Sequence, residues 1–259
     1  MTQRRPCPVP RTALITGAGK RVGRAVALRL AEAGWDIAVH YGRSRDEAEA
    51  TAAAVRERQR RAVTLSADLA EEREVEGLVG QARETLGPIG LLVNNASVFE
   101  PDRLDTMTRD SWDRHMATNL RAPVVLMQRF AALLPADNDG VVVNILDQRV
   151  WNPNEEFLSY TVTKVALHGL TRTLALDLAP RIRVCGVGPG PTLPNARQHP
   201  EAFDAQARSL PLRRAVDPAE IADAVAYLAD ARSITGQMIA VDGGQHLWWA
   251  PPTEATPRD

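Results

Sequence analysis

Seven short apolar runs punctuate the chain, at 12–16, 36–41, 62–66, 91–93, 141–145, 181–187 and 238–241, and between them apolar residues recur every three or four positions. The runs have the length of strands and the spacings between them are helical. Val22, Ala25, Val26, Leu28 and Leu30 mark a helix over 21–33, and similar stretches follow at 45–61, 71–86, 108–134 and 160–179. A further helix follows Asp217-Pro218, with Asp217 as N-cap and Pro218 in the first turn. Pro123 should kink or locally open the 108–134 helix, because it lacks an N–H and its ring crowds the preceding turn. Strands alternating with helices predict an α/β protein with a single doubly wound (Rossmann-type) parallel sheet flanked by helices on both faces. There are no internal repeats and no second composition regime. One domain is therefore expected over 11–249, between a flexible leader at 1–10 and a flexible, Pro-rich tail at 250–259.

In such a sheet ligands bind beyond the carboxyl ends of the strands. The first run stops at a glycine turn, where Gly17, Gly19 and Gly23 let the backbone approach a pyrophosphate at the start of the next helix. Strand before and helix after is the context that separates a dinucleotide site from an ordinary glycine-rich turn. About twenty residues on, the second run ends in His40-Tyr41-Gly42-Arg43-Ser44, with no acid between Ile37 and Arg45. An NAD site places an acid there for the ribose hydroxyl, so Arg43 and Ser44 point to the 2′-phosphate of NADPH instead. Asp68, Asn94, Ser97 and Phe99 lie at other strand ends, and the loop 188–194, rich in Gly and Pro, can cover a bound ligand.

Tyr160 and Lys164 stand one helical turn apart and share a face. An ammonium beside a phenol lowers its pKa, which predicts a tuned general acid. Composition strengthens this pairing, since the chain holds 31 Lys+Arg but only two lysines, Lys20 and Lys164, as though a compact ammonium were wanted at just two places. The 259 residues are 44% hydrophobic, enough for a large core, and the net charge of -1 provides no global field for nucleic acid or an anionic membrane. No window approaches the roughly 18 apolar residues of a membrane span. Cys7 and Cys185 are too few and too far apart for a disulfide framework or a metal cluster, which fits a reducing cytoplasmic setting.

Thr16-Gly17, Asn94-Asn95-Ala96, Asn119, Tyr160-x-x-x-Lys164, Pro189-Gly190 and Asp242-Gly243-Gly244 occur in an order and spacing that resembles the short-chain dehydrogenase/reductase family from about residue 11 to 247. Two departures are informative. Arg21 replaces the middle glycine of the turn, and Asp147 stands thirteen positions before the tyrosine, where the family usually has serine. With His40-Tyr41-x-Arg43-Ser44 and the phenylalanine of Asn95-Ala96-Ser97-Val98-Phe99, these look like the pteridine reductase branch.

The resemblance implies a catalytic set of Asp147, Tyr160, Lys164 and Asn119. It implies NADPH contacts from Gly17, Lys20, Arg21, Val22, Tyr41, Arg43, Ser44, Asp68, Leu69, Asn95, Ala96, Ser97, Tyr160, Lys164, Pro189 and Gly190. Arg21, Ser97, Phe99, Asp147, Tyr160 and Leu193 would meet a small-molecule substrate, with Phe99 stacking a pterin against the nicotinamide. A carboxyl group beside a tyrosine can share and relay a proton to a ring nitrogen, which suits reduction of a pterin-like C=N. An NADPH-dependent 3-ketoacyl-type carbonyl reductase and a non-catalytic NADPH-binding protein remain alternatives. Assembly as a homotetramer through the 108–134 and 160–179 helices is also implied, with Trp248 and Trp249 as exposed aromatics near a contact.

Overall fold

The computed structural model describes residues 7–194 and 198–247. Its seven strands are β1 Thr12–Ile15, β2 Asp36–Tyr41, β3 Ala62–Ser66, β4 Leu91–Asn94, β5 Gly140–Ile145, β6 Ile182–Pro189 and β7 Met238–Val241. All neighbouring pairs are parallel, in the order β3-β2-β1-β4-β5-β6-β7. The chain turns from one wing of the sheet to the other between β1 and β4, and that switch point opens a crevice at the strand ends.

Successive residues of a strand face opposite sides, so the apolar runs are buried twice over. Ala13 and Ile15 pack with α1 (Arg21–Glu32), α2 (Arg45–Glu57) and α8 (Pro218–Asp230). Leu14, between them, faces the layer of α3 (Glu72–Leu86), α5 (Ala122–Leu133) and α6 (Leu158–Asp177). Every residue of β1, β4 and β5 is buried, which explains the absence of polar alternation in those runs.

The 108–134 stretch opens where Pro123 requires it. It divides into α4 (Arg109–His115), a π-helical turn over Met116–Arg121, and α5, with Pro123 in the first turn of α5. The wide turn removes the clash between the proline ring and the preceding carbonyls, and it carries Asn119. At Asp217 a full capping box forms with Glu220, as the Asp-Pro start implies. One helix was not anticipated, α7 (Pro200–Ser209), which lies beyond the β6 loop. Of the leader, Cys7 and Pro8 are tied down, since the Cys7 amide donates to Asp139 Oδ2 (2.9 Å) and the Pro8 carbonyl accepts from the Asp139 amide (3.1 Å). The expected tail at 250–259, Trp248, Trp249 and Asn195 lie outside the described residues. Among the described residues no helix is long and apolar enough to cross a membrane.

The glycine turn is the tightest point of this frame. A Cβ on Gly23 would overlap the Gly17 carbonyl oxygen and lie 2.6 Å from Asn95 Nδ2 and 2.9 Å from Ala18 Cα. Backbone on two sides cannot yield as a flexible side chain would. Gly23→Ala is therefore expected to lower the melting temperature and abolish nucleotide binding, measured by calorimetry and NADPH fluorescence titration; wild-type affinity in that variant would contradict this account of the turn.

Candidate active site

The strand ends bring two groups of candidate residues together. The first surrounds the glycine turn. Gly17 has φ +63, and its amide donates to His40 Nδ1 (3.1 Å), while His40 Nε2 meets the Ala67 carbonyl (3.1 Å). An amide only donates and a carbonyl only accepts, so the ring is neutral with its proton on Nε2. Burial, the largest influence on its pKa, lowers it and favours this neutral form. Thr16 joins the turn to β4, because its Oγ1 accepts from the amides of Asn95 (2.9 Å) and Ala96 (3.0 Å), while Asn95 Nδ2 donates to the carbonyls of Thr16 (2.8 Å) and Gly17 (3.2 Å). Val22 and Tyr41 are half-buried against the core, and Leu69 is buried. Arg43 is exposed at the end of β2 with Ser44 beside it, and Asp68 accepts from the Ala70 amide at the end of β3. Lys20 reaches Glu47 in an exposed pair at 3.5 Å.

The second group lines a cleft of about 560 Å³: Arg21, Phe99, Asp147, Arg149, Phe157, Tyr160, Pro189, Gly190 and Leu193, with Gln198, Phe203 and Gln206 from the α7 side. Its floor is the start of α6. Tyr160 is 6% exposed, and its hydroxyl donates to Asp147 Oδ2 at 2.8 Å. Lys164, 3% exposed, donates to the Ile145 carbonyl at 2.7 Å and lies 5.5 Å from the Tyr160 ring centroid. Asn119 grips Val98 in both directions, accepting from its amide (2.7 Å) and donating to its carbonyl (2.9 Å), and it also donates to Thr163 Oγ1 (3.3 Å).

The structure corrects the pairing of Tyr160 with Lys164, leaves Ser97 out of the cleft lining, and adds contacts at Arg21 and Phe99, which line the cleft as expected. Burial, followed by the negative charge of Asp147, pushes the Tyr160 hydroxyl well above the ordinary phenol pKa, so the lysine does not win. Lys164 is itself lowered to about 8 by burial, with Asp147 opposing, and it faces a carbonyl rather than the phenol oxygen. Arg21 points its guanidinium to the carbonyls of Pro194 (2.9 Å) and Leu193 (3.1 Å), strapping the β6 loop over the cleft. It does so with φ 54, a left-handed conformation that costs a side-chain-bearing residue about 1–2 kcal/mol. Ser97 is exposed, donates to the Val98 carbonyl (3.1 Å) and is absent from the cleft lining. Finally, one face of Phe99 already stacks on Phe157, with centroids 4.2 Å apart and planes 4° apart, while Tyr160 meets Phe99 edge-on at 4.7 Å.

Sequence reasoning missed Thr16 as a linker, and also Arg149, Phe157 and Asp102. The buried Asp102 accepts from the Ser159 amide (3.0 Å) and from Ser111 Oγ (3.3 Å), and its carbonyl accepts from the Leu158 amide (3.2 Å). It thus caps α6 from another loop, since Phe157 at the N-cap position has φ 59 and no capping side chain. The sequence carries no signal for it, because Ser159 offers a local cap to a helix read from Tyr160, and only the structure places the start at Leu158.

The chain matches the family model described as enoyl-(acyl carrier protein) reductase over residues 17–246. It is 33% identical over 245 residues to the 3-oxoacyl-[acyl-carrier-protein] reductase FabG of Staphylococcus epidermidis, covering 92% of this chain and 99% of that one. Among solved structures it is similar to FolM alternative dihydrofolate reductase 1 from Brucella canis complexed with NADP, at 49% identity and TM-score 0.90, covering 95% of this chain and 98% of that one. It is also similar to a short-chain dehydrogenase from Burkholderia cenocepacia in complex with NADP, at 34% identity and TM-score 0.84, covering 93% and 99%.

The charge on Lys164 depends on pH in the neutral-to-alkaline range. The ammonium is present below about pH 8 and is lost as pH rises through that point. Turnover that relies on this charge should show kcat/KM falling on a limb near pH 8, read from a pH profile; a profile level to the ordinary lysine range would contradict a role for the charged form.

Proposed function

The chain belongs to the short-chain dehydrogenase/reductase family, and from that premise we propose that it reduces a ring C=N of a pterin-like substrate, a dihydropterin or dihydrofolate. It is an oxidoreductase whose cofactor is NADP(H). The residues fit that cofactor, because Gly17, at φ +63, and Gly23, packed on the Gly17 carbonyl, permit the tight turn that opens α1, and exposed Arg43 with Ser44 would grip a 2′-phosphate. Gly17, Asn95, Ala96, Pro189, Gly190 and Lys164 would hold the rest of it. When bound, the group supplies the hydride.

The observation that carries this reading is the carboxylate of Asp147 under the Tyr160 hydroxyl, inside a cleft walled by Phe99 and Phe157. A serine can only donate a hydrogen bond to a developing alkoxide. A carboxylate that shares the tyrosine's proton can pass one to a ring nitrogen while Tyr160 remains the donor behind it. Flat aromatic walls suit a flat ring, and the cleft has the volume of a small-ligand site. The FolM likeness, at 49% identity, supports the same substrate class. The second reading, a 3-ketoacyl reductase, is favoured by the FabG relatives.

Assembly as a homotetramer is part of the proposal. Val162, Val165 and Leu176 leave an exposed apolar stripe along α6, as a helix does when it packs on another copy. A reducing cytoplasmic setting belongs to the same reading.

The test is NADPH consumption by the purified protein with a dihydropterin, dihydrofolate, a β-ketoacyl thioester and a quinone. Reduction of a dihydropterin or dihydrofolate is expected, and turnover of the ketoacyl thioester alone would overturn the proposal. With the active substrate, kcat/KM should strongly favour NADPH over NADH. Arg43→Ala should narrow that gap chiefly through KM, because the lost contacts are ground-state binding.

A further inference from the structure

Arg149 lies in the short 3-10 turn Gln148–Val150 that follows β5, directly at the cleft. It holds Asp147 twice over. Its backbone amide donates to Asp147 Oδ1 at 2.8 Å, and its guanidinium Nη1 reaches Oδ2 at 3.2 Å and Oδ1 at 3.4 Å. The pair is largely withdrawn from water, with side chains 17% and 13% exposed, so the attraction is much less screened than at a surface. The guanidinium carbon is also 5.5 Å from the ring centroids of both Phe99 and Phe157. Equal distances to two parallel rings place it beside the stack rather than above either face. Nε is buried and has no hydrogen-bond partner among the described residues, so the group is held by Asp147 and the rings and by little else.

We propose that Arg149 is a positioning residue that joins the two halves of this site, fixing the Asp147 carboxylate against Tyr160 while its planar guanidinium steadies the Phe99–Phe157 wall that a flat substrate must use. The proposal rests on the reading that Asp147 and Tyr160 deliver the proton. Without the Arg149 guanidinium, Asp147 would be a nearly buried anion held only by a phenol and one backbone amide, and less firmly fixed against Tyr160. Arg149 also offsets part of the effect of Asp147 on the phenol, pulling the Tyr160 pKa down while burial and Asp147 push it up.

The two roles separate in kinetics. Arg149→Lys keeps a charge for Asp147 but has no planar fork, so kcat should recover while KM stays raised. Arg149→Met should lower kcat about tenfold and raise KM, and in an Asp147→Asn background the kcat effect should shrink to about twofold, because residues acting as one unit are not additive. NADPH titration of each variant checks that the fold is kept, and Arg149→Lys carries the test if Arg149→Met does not fold. The assay uses whichever substrate the wild-type protein reduces. Unchanged kcat in Arg149→Met, equal losses in both backgrounds, or no kcat recovery in Arg149→Lys would overturn the proposal. If wild-type protein reduces only a ketoacyl thioester, the pterin reading falls and the cycle is still read on that thioester. If it reduces a dihydropterin and the cycle is additive, only the role of Arg149 falls.

Discussion

A phenol and a carboxylate cannot be buried together cheaply, and the 2.8 Å hydrogen bond from Tyr160 to Asp147 sets the terms for the structure around it. The carboxylate is satisfied by donors from three directions, the Tyr160 hydroxyl, the Arg149 amide and the Arg149 guanidinium. The tyrosine must also stay still. Asp102 caps the helix that carries it, Thr163 Oγ1 donates to the Tyr160 carbonyl at 2.6 Å, and Asn119, set in the π-helical turn before Pro123, donates to Thr163. A helix irregularity some forty residues earlier in the chain is thus tied by side chains to the orientation of one hydroxyl. Lys164 is buried beneath the same ring, and the desolvation that lowers it to about 8 is the cost of placing an ammonium there.

Much of the frame could be read from the chain, because apolar runs buried on both faces and helical spacings are local signals. Thr12 to Ile15 and Val141 to Ile145 are strands for the same reason that they are apolar. The opening of the helix at Pro123 and the cap at Asp217 follow from single-residue chemistry. Local geometry was legible wherever a residue type carries its own constraint, as in the tight turn at Gly17 and Gly23 and the shared helix face of Tyr160 and Lys164. It was not legible where the constraint comes through space. Asp102 caps a helix that begins 56 positions later, Phe157 takes a left-handed conformation and covers Phe99, and Arg21 straps a loop more than 170 positions away. The tyrosine pKa went the wrong way for a related reason: spacing places the lysine near the ring, while only the structure shows it bonded to Ile145 and the Asp147 carboxylate under the hydroxyl.

The likenesses to known proteins pull in two directions, toward FabG at 33% identity and toward FolM at 49%. Fold cannot choose between them, since one scaffold hosts many chemistries. The choice falls on the residue at 147, where a carboxylate occupies the place of the family's usual serine and turns its oxygen to the tyrosine. The most direct measurement is the ratio of kcat/KM for a dihydropterin to kcat/KM for a β-ketoacyl thioester, in the wild-type protein and in Asp147→Ser. If the carboxylate makes this a ring C=N reductase, the ratio falls by about 10²-fold or more in the variant, the scale of a lost proton-transfer group, with dihydropterin turnover lost. An unchanged ratio would contradict the account.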